Sequence, residues 1–364
     1  MYSEKSEKNG LVFVRDKIED YNRITKDYNE IIALEHAEKY KADAVYFKRF
    51  NDGKPSIPLI YLYDFTLIEK QNNELANLHK KLWNASKVPL FFIFSNSDVK
   101  IFSCLKQPID KKTGEPALNF IEQIKLASNI KKEVEKIKNF LAEKFDNGSF
   151  WNNPEYKNSF DLKKSAYLTL LQQLKLTRKK IIAKKILSEK VVKKLLVMSI
   201  LVKYLEERKG EKGNTVFPEG FFSAFTGSKN KDDFAEVLKT KGACLKLFDE
   251  LSGKKRFNGE IFSWKDKKER EELKNADLTV FVKQFFDGKM SGRQYTFWKL
   301  YSFNDLPIEL ISNIYEDFLG KKEGVVYTPP YLVNLLIDEV MPIADFEKRI
   351  LKLLTLHAVP ASFW

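Results

Sequence analysis

The stretch Ala42–Phe65, ADAVYFKRFNDGKPSIPLIYLYDF, decides how the first third of this chain folds. Two runs rich in Val, Ile, Tyr and Phe flank NDGKP, a cluster of turn formers. β-Branched and aromatic side chains suit a pleated surface, whereas Asn, Asp, Gly and Pro interrupt one. The pattern therefore predicts two strands joined as a hairpin. Upstream, DKIEDYNRITKDYNEIIALEHAEKY repeats Ile18, Tyr21, Ile24, Tyr28 and Ile32 at threes and fours, the spacing of a helix. Downstream, NNELANLHKKLW predicts a polar helix, and PLFFIFS and VKIFSC around the turn NSD predict a second hairpin. The continuous apolar run Pro89–Phe94 predicts a strand covered on both faces. The expected order is helix, hairpin, helix, hairpin.

From about Pro116 strand signals vanish. LNFIEQIKLASNIKKEVEKIKNFLAEKF reads as amphipathic helix, as do Asp161–Arg208 and Asp232–Leu251, punctuated by KGEKGNTVFPEG and SGKKRFNGE. The expected fold class is thus α/β plus all-α: an α/β domain over 1–115 and a basic helical domain over 116–303.

The chain has 364 residues, 43% of them hydrophobic and 13% aromatic, which is enough to build cores and excludes a disordered chain. Its formal net charge of +13 favours a polyanionic partner, double-stranded DNA first. The most basic segment is KLTRKKIIAKKILSEKVVKKLL, with Lys175, Arg178, Lys179, Lys180, Lys184, Lys185, Lys190, Lys193 and Lys194 against the single acid Glu189. Leu174, Ile181, Ile182, Ile186, Val191, Val192 and Leu195 can face a core while the cations face outward. A solvated helix face and a phosphate-contacting ridge both fit; the charge of the whole chain favours the ridge, with Arg178, Lys179, Lys180, Lys184 and Lys185 as its DNA-binding residues.

Cys104 and Cys244 lie far apart in no metal-ligand spacing, so neither a disulfide framework nor a metal site is expected, and a reducing cytoplasm fits. The charged opening MYSEKSEKNG has no apolar core of the signal-peptide kind. No stretch is long and apolar enough for a bilayer span. His36 and His79 fall on helices and are expected at the surface or half-buried, with no Ser or Cys partner. GRQYTFWKLYSF interleaves aromatics with Arg293 and Lys299; core aromatics are favoured over base-stacking ones.

The segment YSFNDLPIELISNIYEDFLGKKEGVVYTPPYLVNLLIDEVMP carries the strongest functional signal. Asp305 and Thr328 are suited to cap two helices, Pro307 and Pro329 to their first turns, and Gly320 to a helix end. The segment resembles the entry to the catalytic domain of N6-adenine DNA methylases of restriction–modification systems, including fused restriction–modification polypeptides. The family's IPxELxxxIYExFL helix matches Leu306–Leu319, and its GxYYTPxxLV element matches Gly324–Val333. The resemblance implies a Rossmann-like methyltransferase domain entered at 304–354 and S-adenosylmethionine as cofactor. It also implies cofactor-binding roles for Tyr327, Thr328 and Pro329. The family's catalytic NPPY needs Asn or Asp first, to accept from the adenine amino group. Neither TPPY at Thr328–Tyr331 nor NNPEY at Asn152–Tyr156 supplies it, so no catalytic residue is assigned.

In this family a strand and glycine turn reading LDPACGSGIFL follow. Here the sequence is LTLHAVPASFW. Codons for Thr355–Trp364 read one base earlier can give Asp, Pro, Ala, Cys, Gly, Ser, Gly, Ile, Phe and Leu. Residues 355–364 are therefore expected to be a frameshifted tail, and the chain alone is expected neither to hold S-adenosylmethionine nor to transfer a methyl group.

Fused enzymes of this kind often begin with a PD-(D/E)xK nuclease. The hairpin resembles that core, with Asp43 opening the first strand, Asp64 ending the second and Glu35 as a third acid. The lysine position holds Thr66, while Lys48 and Lys70 lie nearby. The resemblance implies a restriction-endonuclease-like domain with incomplete chemistry, favouring docking or DNA contact over cleavage. The function expected is that of the N-terminal portion of a site-specific adenine-N6 DNA methyltransferase in restriction–modification or phage defence. Other restriction–modification subunits are further expected partners. The alternative is a non-catalytic DNA-binding or interaction module with a nuclease-like fold.

Overall fold

The computed structural model describes residues 10–14, 27–52, 54–110, 117–126, 131–210, 213–228, 230–253, 256–257, 261–286, 300–306 and Ile314. The chain divides into two compact units, Met1–Thr177 with Gln284–Leu310, and Arg178–Lys283 with Ile311–Trp364.

The first unit is built on an open, mixed, six-stranded sheet: β1 (Leu11–Phe13), β2 (Ala44–Lys48), β3 (Ile57–Asp64), β4 (Leu90–Phe94), β5 (Asp98–Ser103) and β6 (Phe120–Lys125). The strands lie side by side in chain order. All neighbours are antiparallel except β3 and β4, which are parallel. A parallel pair needs a crossover, and helix α2 (Asn72–Ala85) supplies it; α1 (Tyr28–Lys39) precedes β2. Both expected hairpins are present, β2 with β3 and β4 with β5.

The apolar runs are explained by two cores, one on each sheet face. Val45, Tyr61, Phe91 and Phe102 lie in register across the sheet, and they pack with Leu34 and Ala37 of α1 and Leu75 and Leu82 of α2. The alternate residues Ile60, Leu90, Phe92 and Ile101 pack with Phe145, Phe150 and Tyr156. Period-two alternation with both faces covered gives a strand with no polar side.

The helical reading from Pro116 onward is corrected at β6. Ile121 and Ile124 are spaced as on a helix, yet Ile124 pairs with Val99 and joins the second core. Helix begins only at α3 (Lys131–Asn139), followed by α4 (Ala142–Asp146). The sheet thus extends beyond residue 115. Strand β1 was also not foreseen, since three residues carry too little pattern.

Entry into β1 depends on Gly10. It sits at φ +84°, its carbonyl accepts from Phe47 N at 2.7 Å, and a Cβ would collide with the Phe47 carbonyl oxygen. The left-handed conformation alone costs a side-chain-bearing residue about 1–2 kcal/mol. Gly10→Ala is therefore expected to lower the unfolding midpoint in urea by at least that free energy; an unchanged midpoint would contradict this account of the β1–β2 contact.

The described part of the second unit is helical. Helix α5 (Ala166–Ala183), of which only Arg178–Ala183 belong to this unit, ends at a corner, and α6 (Glu189–Glu207) follows it. The expected single helical stretch is thus broken at 184–188, where Lys185 takes φ +54°. Helices α7 (Ser223–Thr226), α8 (Phe234–Lys239), α9 (Ala243–Ser252), α10 (Lys267–Asn275) and α11 (Thr279–Phe285) follow. Val191, Val192, Leu195 and Leu196 of α6 are fully buried, as are Phe234, Leu247, Phe248 and Leu273. Among the described residues no helix is long and apolar enough to cross a membrane.

Candidate nucleic-acid interface and sheet-edge carboxylates

The hairpin brings Asp43 and Asp64 together. Asp43 directly precedes β2 and Asp64 ends the antiparallel β3, so the two meet at one end of the strands. Asp64 N donates to Asp43 Oδ2 at 2.7 Å, and Asp43 N donates to Leu62 O at 2.9 Å. Both side chains are exposed, as is Glu35 on α1. Asp64 Oδ1 accepts from the Thr66 hydroxyl at 2.6 Å and the Thr66 amide at 3.0 Å. Those two hydrogen bonds, the hydroxyl first, hold the Asp64 carboxyl below the usual carboxylate range.

Mg²⁺ takes six oxygen ligands, one or two of them carboxylates and the rest waters or phosphates, and the expected third acid, Glu35, would strengthen such a site. Among the described residues no group of three His, Cys, Asp or Glu is placed to hold a metal. One oxygen of each aspartate is already occupied by the chain's own donors. Among the described residues Glu35 does not join the pair to complete a three-acid group. Nor is a lysine supplied. Thr66 occupies the acid-x-Lys place, Lys70 pairs with Glu74 at 3.2 Å, and Lys48 lies over the Phe50 ring. The Thr66 contacts tie the turn after β3 to Asp64.

The basic segment is sorted by the fold. Lys190 and Lys194 share Glu269, at 2.6 and 3.5 Å, and Lys193 pairs with Glu189 at 2.7 Å. Lys194 also lies 4.3 Å from the centre of the Trp264 ring. Arg178 is half-buried. Lys179 and Lys180 in the last turn of α5, and Lys184 and Lys185 in the corner, are exposed and make no ion pair among the described residues. Leu174, Ile181, Leu187, Val191 and Val192 are buried beneath. Ile182 and Ile186 are half-buried.

The histidine expectation holds for His36, which is half-buried, and fails for His79. His79 is fully buried, edge-on to Phe91 and Phe102 with ring centres 5.4 and 5.2 Å away. Its Nε2–H donates to Ser103 O at 3.1 Å, while Nδ1 has no partner among the described residues. Burial is the main cause that lowers its pKa to about 4. Tyr301 and Phe303 are core residues, as expected, with Tyr301 packed on Trp83 at 5.4 Å.

Asp98, at the same end of the sheet as Asp43 and Asp64, carries no signal in the sequence pattern. It accepts from Ser95 Oγ at 2.7 Å and Lys100 Nζ at 3.0 Å, and also from Gln123 Nε2. It clasps the β4–β5 turn to β6. A concavity of about 520 Å³ in the second unit is lined by Glu219, Ser223, Ser228 and Asp232 among others. Asp232 is used there to accept from Gly220 N and Ser223 N, at 2.6 and 2.8 Å. Tyr327, Thr328, Pro329 and residues 355–364 lie outside the described residues.

No protein-family model, curated protein or solved structure matches this chain.

Proposed function

We propose that the chain serves a site-specific adenine-N6 DNA methylase of a restriction–modification or phage-defence system. Residues before about 304 act as a DNA-contacting module with a nuclease-like fold that does not cleave. The segment 304–354 leads into the domain that uses S-adenosylmethionine, and Tyr327, Thr328 and Pro329 contribute to the cofactor pocket. The resemblance at Leu306–Leu319 and Gly324–Val333 supports the methylase reading.

One observation carries the non-cleaving module. The β2–β3 hairpin brings Asp43 against Asp64 at one end of the sheet, which supports the nuclease-like reading. At that end, however, Thr66 stands where the lysine belongs and spends its hydroxyl on Asp64. Among the described residues no three-acid group and no lysine stands beside the pair to orient and activate water, which supports the non-cleaving reading.

Incubation of the full chain with supercoiled plasmid and Mg²⁺ or Mn²⁺ is expected to give retarded but intact DNA. Nicking that disappears in Asp64→Ala would replace this reading with an active nuclease.

A further inference from the structure

We propose that duplex DNA is held through its phosphates by one corner of the second unit, formed by Lys179, Lys180, Lys184 and Lys185. The inference rests on the DNA-directed reading above and names where that contact is made. The sequence offers a ridge of nine cations, and the fold divides it. Lys190, Lys193 and Lys194 are matched by Glu269 and Glu189, so their charge is largely spent within the protein. The four lysines of the corner have no such acid among the described residues.

Their placement concentrates the charge. Lys179 and Lys180 fall in one helical turn. The chain leaves the helix after Ala183, and Lys184 and Lys185 follow at once, the latter in the left-handed region. Four helical steps of about 1.5 Å and two non-helical steps of at most about 3.6 Å put the four lysines within roughly 13 Å of chain path. Four like charges so close repel one another, and a polyanion relieves that repulsion. Duplex DNA, with one phosphate per roughly 1.7 Å of axis, presents several phosphates over such a span.

The chemistry of the corner discriminates among polyanions. The segment 174–195 contains no aromatic residue, so it lacks the stacking platform on which single strands are held. Of its large apolar side chains Ile181 and Leu187 are 2% and 6% exposed and only Leu176, at 42%, is exposed, which is little to anchor in a bilayer. Lysine ammonium groups on phosphates position a duplex without reading bases. Binding at this corner is therefore independent of sequence.

The test is a salt titration of the full chain on a duplex of about 30 base pairs, with a scrambled duplex alongside. Replacing all four lysines by Gln is expected to flatten the slope of log K against log salt by roughly 3–4, and to weaken binding at least ~10-fold near 0.1 M salt. Lys190→Gln with Lys193→Gln is the control: thermal melting checks its fold, and its slope is expected to stay within about one unit of wild type. A quadruple variant with unchanged slope and affinity overturns the corner while leaving the DNA-directed reading standing. So does a control pair that flattens the slope as much. A variant that loses binding only to phosphatidylserine vesicles, and not to duplex, assigns the corner to a membrane and overturns the proposal. Wild-type chain that shows no salt-dependent duplex binding overturns both.

Discussion

Arg49→Ala is expected to destabilise the first unit by about 3 kcal/mol or more, because it strands a buried carboxylate. Glu30, in the first turn of α1, is 1% exposed. Arg49, just beyond β2, holds it with two parallel hydrogen bonds, Nε to Oε1 at 2.7 Å and Nη2 to Oε2 at 2.9 Å. A planar fork satisfies both carboxylate oxygens at once, which an ammonium cannot do. Removing the guanidinium leaves an anion out of water with no opposite charge among the described residues. The nearby positive end of α1 offsets only a fraction of that cost. Arg49→Lys should fall between wild type and Arg49→Ala. Glu30→Gln placed in the Arg49→Ala background should recover part of the loss, since a neutral amide is cheaper to bury. Urea denaturation of the four proteins measures this; a loss under about 1 kcal/mol in Arg49→Ala would mean that Glu30 finds water or another partner.

The second large effect is a pH dependence set by His79. The unfolded chain takes up this proton near pH 6.5, but the folded chain resists it until about pH 4. Burial between two phenylalanine rings is the main cause; the Ser103 carbonyl opposes it and the Lys106 charge adds to it. Between those values the unfolded state binds more protons, so stability falls as pH falls. The contribution is fully present above pH 6.5 and is exhausted near pH 4. The whole shift corresponds to about 3 kcal/mol. Between about pH 6.5 and 5, before most carboxylates protonate, the wild type should lose about 2 kcal/mol from this source. His79→Leu removes the titrating group, so its unfolding free energy should be flatter over that range, whatever its value at neutral pH. Parallel slopes for the two proteins would show that the imidazole is reached by water.

How much of this was legible depends on where each residue finds its partners. The two hairpins were readable because β2 to β5 are covered on both faces, which turns burial into unbroken apolar runs around Gly, Asn and Asp. The meeting of Asp43 and Asp64 followed from the same hairpin. Strand β6 was not readable. Its Glu122 and Gln123 are polar, Ile121 and Ile124 mimic helical spacing, and its pairing comes from β5 across a long loop. His79 carried a signal that went unused. It shares a stripe with Leu75, Leu82 and Trp83, all buried, at the threes and fours of a core-facing helix side. The sorting of the lysines could not be read from their own segment. The acid that neutralises Lys190 and Lys194 is Glu269, which reaches them through the tertiary fold. The proposed methylase reading rests on the sequence of Leu306–Val333, most of which lies outside the described residues.

The most direct test of the account is equilibrium binding of the full chain to duplex DNA in Mg²⁺, from about 50 to 200 mM salt, with the DNA recovered and sized afterwards. The account predicts affinity that falls steeply and linearly on the logarithmic scale, no preference between unrelated sequences, and DNA that returns uncut. Binding insensitive to salt, or DNA returned as fragments, would contradict it.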